Sequence, residues 1–83
     1  MISDRSTAEK VEKIMRDVGA QINASIQVVM EGDSASEFQN YRLAAGKVMA
    51  EIFLEVLTPI YSVHPDLTPP ELRQDGKEYH AGN

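Results

Sequence analysis

Few residues in this chain are of a type and spacing that could do chemistry. Glu51 and Glu55 stand four apart, which on a helix sets two carboxylates on one face, the arrangement for sharing a metal ion or dividing acid and base roles. A metal site in a helical bundle wants a Glu-x-x-His beside such a pair, and no histidine precedes His64. With Lys47 one turn earlier, the two glutamates read as a solvated face. His64 and His80, near Asp66, Asp75 and Glu78, are the other grouping. They lack the short ligand spacing of metal motifs, and His64 reads as a histidine at a helix C-terminus, where its charge suits the dipole. The chain has no cysteine, which removes thiolate zinc sites, a thiol nucleophile and disulfides. No catalytic residue, metal or cofactor is expected, and the protein reads as a non-enzyme.

Charge bears on partners. Thirteen acidic residues against eight basic ones leave a net charge of −5, the wrong sign for a general nucleic-acid binder. Lys10, Lys13 and Arg16 form a short basic line, but Glu9, Glu12 and Asp17 interleave with it. A small helical dimer associated with nucleic acid, gathering these cations from two chains, is therefore the alternative and not the main reading. No apolar stretch is long enough for a membrane span or signal segment: the longest, residues 48–57, is broken by Glu51 and Glu55. A cytoplasmic protein without membrane contact is expected.

Two long helices must carry whatever surface matters. From about residue 7 to residue 31, Ala8, Val11, Ile14, Met15, Val18, Ile22, Ser25, Ile26 and Val29 recur at helical spacing on one face. Glu9, Glu12, Lys13 and Arg16 fall on the other, with Ser6 or Thr7 as N-cap. Gly32 suits a left-handed helix end, and Ser34 with Glu37 forms a capping box that restarts a helix. The second helix, about residues 35–62, carries one broad stripe through Phe38, Tyr41, Ala45, Val48, Met49, Ile52, Phe53, Val56 and Ile60. Beside it runs a second line of Leu43, Ala50, Leu54, Leu57 and Tyr61. Pro59 cannot donate to the helical ladder, so a kink is expected there.

So short a link makes the helices antiparallel neighbours. Folding back at Gly32 to Ser34 sets Val29 against Phe38, Ile26 against Tyr41, Ile22 against Ala45, Val18 against Met49, Met15 against Ile52 and Val11 against Val56. Agreement between six layers and the loop position is consistency across levels. Met15 and Met49 then fill the core and, with Met30, need no recognition role. Gly19 and Gly46 fall close together, which suggests a close helix approach.

The fold class is thus all-α, an antiparallel helical hairpin of two long helices plus a short C-terminal helical turn at Thr68 to Arg73. The hairpin occupies residues 1–73 and a flexible tail residues 74–83. Leu, Ile, Val and Phe number 20 of 83 residues, enough for an ordered core but a marginal one at this size. A lone hairpin would leave Leu43, Ala50, Leu54, Leu57 and Tyr61 wet. A homodimer packed through these residues into a four-helix bundle is the economical remedy, two-fold dimers being the commonest oligomers. Arg42 interrupts the stripe level with Ser25; its stem is expected to pack while its guanidinium reaches water, the alternative being a polar layer with Ser25 that fixes the register of the dimer. In architecture alone this resembles ROP-like bundles, and no motif carries a residue across. The expected role is protein–protein interaction or regulation, with a second copy, or another protein, as partner.

Overall fold

The computed structural model describes residues 1–72 and is all-helical there: α1 spans Arg5–Gly32, α2 spans Ala35–Glu51, a π-helical segment Ile52–Leu57 follows, and α3 spans Thr58–Val63. Two 3₁₀ turns, Pro65–Leu67 and Pro70–Leu72, close the described chain. The expected tail from residue 74, and Arg73 at the end of the expected helical turn, lie outside the described residues.

α1 begins at Arg5 because Asp4, not Ser6 or Thr7, is the cap: its carboxylate accepts from the Thr7 backbone N–H at 2.9 Å and from the Thr7 hydroxyl at 2.7 Å. Three residues in this stretch could cap, and Asp4 wins by adding charge next to the positive helix end. The far end also differs from expectation. Gly32 stays helical and no glycine among the described residues takes a positive φ; Asp33, in extended conformation, ends the helix instead. Ser34 does restart the chain, its hydroxyl oxygen accepting from Glu37 N–H at 3.2 Å.

The kink expected at Pro59 takes another form. One turn earlier the ladder slips to i→i−5 bonding, with Thr58 N–H donating to Phe53 C=O, and the helix then runs through the proline to Val63. A π-turn inserts one extra residue and so rotates everything after it. Inward-facing positions step from Ala45 to Met49 and Ile52, then by five to Leu57, and on to Ile60 and His64. Part of what looked like a second stripe is the first stripe continued after the slip.

The core is small. Among the described residues, only Ala8, Ala45, Leu57 and Ile60 of the apolar side chains are buried, and Ile60 is the one large side chain fully enclosed. Met15, Ile22, Ile26, Phe38, Met49, Ile52 and Val56 are half-buried. On α1 the inward line is Ala8, Glu12, Met15, Gly19, Ile22 and Ile26, so Ile14 and Val18, expected inside, lie exposed, Ile14 by 56%. The shortest dimension is 16 Å, and among the described residues the hairpin is a single layer with no further helix over either side. Gly19 and Gly46 do not mark a tight crossing: a Cβ added at either would meet nothing within 4 Å.

Candidate functional site

The five residues expected at a self-association surface divide in two. Leu57 and Tyr61 are used within the chain: the π-turn swings Leu57 inward until it is buried, and Tyr61 becomes half-buried against α1. The expectation that a lone hairpin leaves Leu57 wet is therefore wrong, because it assumed an unbroken α-helical period through residues 52–57. Leu43, Ala50 and Leu54, on the side of α2 turned away from α1, are exposed, Leu43 by 60% and Leu54 by 58%. A further exposed set, Ile14 and Val18 of α1 with Val48 of α2, lies along one open side of the layer.

Within one chain, Ser25 and Arg42 make no hydrogen bond to each other. The Ser25 hydroxyl donates to the Ile22 carbonyl at 2.6 Å and lies 2.7 Å from the Tyr41 hydroxyl. A serine has one proton to give, so Tyr41 donates to Ser25. Arg42, exposed, donates to Gln39 Oε1 at 2.9 Å. The polar layer exists within the chain, one residue earlier, and it ties α2 to α1 close to the expected register.

Beyond the π-turn the register moves. Glu12, read as a surface residue, is 3% exposed and meets Tyr61, where an unshifted hairpin would set Glu55. Tyr61 Oη donates to Glu12 Oε2 at 2.7 Å, and Arg16 Nε lies 2.7 Å from the same oxygen. Burying a carboxylate is tolerated only with such partners. Burial, reinforced by the Glu12 carboxylate, pushes the Tyr61 phenol well above its ordinary range. The hydrogen bond to Glu12 raises the Arg16 guanidinium. Sequence reading placed Glu12 and Arg16 as an i, i+4 surface pair and so missed this cluster; the one available signal was a tyrosine whose hydroxyl, at an inward position, would need an acceptor.

A second cluster ties the N-terminal segment to the end of α3. His64, at the end of α3, is buried, and its Nε2 lies 2.8 Å from the Ile2 carbonyl. Arg5 Nε donates to Asp66 Oδ2 at 2.9 Å, and Arg5 Nη1 reaches Glu9 at 3.2 Å. The Arg5 hydrogen bond holds the Asp66 carboxyl below its usual value, and the Thr7 hydroxyl does the same for Asp4. Each of these groups is satisfied by the fold, which is what a structural clasp requires. Of the basic line, Lys13 is paired with Asp17 at 3.4 Å and Arg16 with Glu12.

Among the described residues no group of three or more potential ligands is placed to hold a metal ion, and no helix is long and apolar enough to cross a membrane. Glu51, at the end of α2, and Glu55, in the π-helical segment, are exposed. Comparison with known families, curated proteins and solved structures finds none that matches this chain, so its function has to be argued from its own side chains.

Proposed function

We propose that this protein acts by association, as a non-enzymatic homodimer whose two hairpins form a four-helix assembly, and that its working surface is the apolar side of α2. The observation that carries this reading is the exposure of Leu43 and Leu54 by more than half, beside a core that, among the described residues, fully encloses one large side chain. The nucleic-acid alternative stays second, since two of the three cations in its basic line pair with carboxylates within α1.

Dilution tests it. A dimer's unfolding midpoint in urea rises with protein concentration by mass action, so a hundredfold dilution is expected to lower the midpoint and the helical signal together. A midpoint independent of concentration would remove the reading. A cytoplasmic setting belongs to the same proposal.

A further inference from the structure

The outward face of α2 and of the π-helical segment after it carries a leucine at each end. Leu43, Lys47, Ala50 and Leu54 point away from α1, with Gly46 and Glu51 at the margins. Turned end for end about a point between Val48 and Met49, Leu43 falls on Leu54, and Lys47 falls on Ala50, next to Glu51. We propose that a second copy of this chain docks antiparallel on this face about a two-fold axis at that point, seating Leu43 against the partner's Leu54 and Lys47 against the partner's Glu51. The inference rests on the self-association proposed above and adds the face, the direction and the contacts.

Three observations favour this occupant. Lys47 and Glu51 make no ion pair among the described residues, and a lysine preceding a glutamate by four is the poorer order for pairing along one helix. Across a two-fold, the same two residues pair twice. Gly46 has no cause inside the chain: its φ is not positive and a Cβ there would meet open space. Beside Ala50 at the axis, it lets two α2 backbones approach. The open side with Ile14, Val18 and Val48 offers less, because the α2 edge there carries Glu37, Glu51 and Glu55. Stacking α2 on a second α2 across that edge would oppose like charges.

The test uses the full chain with Lys47→Glu and Glu51→Lys, each alone and then mixed in equal amounts, with self-association followed by sedimentation. Each variant alone sets like charges together twice and is expected to weaken the dimer by roughly tenfold or more. In the mixture, carboxylates of one chain face ammonium groups of the other, and association returns towards the wild-type level; a variant that loses structure alone regains its helical signal on mixing. Val18→Glu, on the open side, leaves association unchanged. Dimers indifferent to both charge changes, or no recovery on mixing, overturn this geometry, and dissociation by Val18→Glu assigns the interface to the open side. A wild type monomeric at every concentration instead overturns the self-association reading itself.

Discussion

Glu12 is the residue on which the hairpin's far end depends. Its carboxylate accepts from Tyr61 and pairs with Arg16, and without it a half-buried phenol would lack its acceptor. Glu12→Ala is therefore expected to cost about 1–3 kcal/mol, measured by urea unfolding, while Glu12→Gln, which keeps an acceptor oxygen, loses less. Tyr61 adds a pH dependence. Its phenol is raised above the ordinary value of 10.0, chiefly by burial, so the folded chain holds that proton more tightly than the unfolded one. The resulting stability is complete below pH about 10 and is lost as pH climbs towards the higher folded value. A thermal melt series from pH 9 upwards should show wild type falling more steeply than Tyr61→Phe; parallel curves would mean the phenol is not desolvated. This cluster was hidden in the sequence because Glu12 and Arg16 have the spacing of an ordinary surface pair. The alternation of charge there says nothing of a tyrosine 49 positions away.

At the scale of elements, the hairpin was legible because independent local signals coincide: a 3.6-residue stripe on α1, the Ser34 cap with Glu37, and a link too short for any but an antiparallel return. The Ser25 and Tyr41 hydroxyls, 2.7 Å apart, meet within one residue of the level that counting back from the loop assigns. The π-turn was not legible. Residues 52–57 are Ile, Phe, Leu, Glu, Val and Leu, so an apolar stripe can be drawn through them with or without the extra residue. The slip therefore decides which leucine goes inside. Leu57 does, Leu54 does not, and the expected interface shortens to Leu43, Ala50 and Leu54. Gly19 offers a prediction at this scale. It is helical, half-buried, and a Cβ there would meet nothing within 4 Å, so Gly19→Ala should stabilise by up to about 1 kcal/mol through helix propensity alone. A lower melting temperature for the variant would mean that α2 approaches Gly19 closely.

For the whole molecule, the deciding feature is thinness. A layer 16 Å deep cannot cover side chains on both its surfaces, which is why Ile14, Leu43, Val48 and Leu54 remain in water although the chain is patterned as an amphipathic hairpin. Association would supply the burial that two helices alone lack, and the charge pattern of α2 provides for it in antiparallel orientation. The most direct measurement is the molar mass of the purified chain by light scattering on an eluting peak at micromolar concentration and above. Self-association predicts twice the 9.2 kDa of one chain, falling towards the single-chain value for Leu54→Glu, where a charge enters the apolar seam. A peak at 9.2 kDa that does not change with concentration, from a chain that is fully helical, would contradict it.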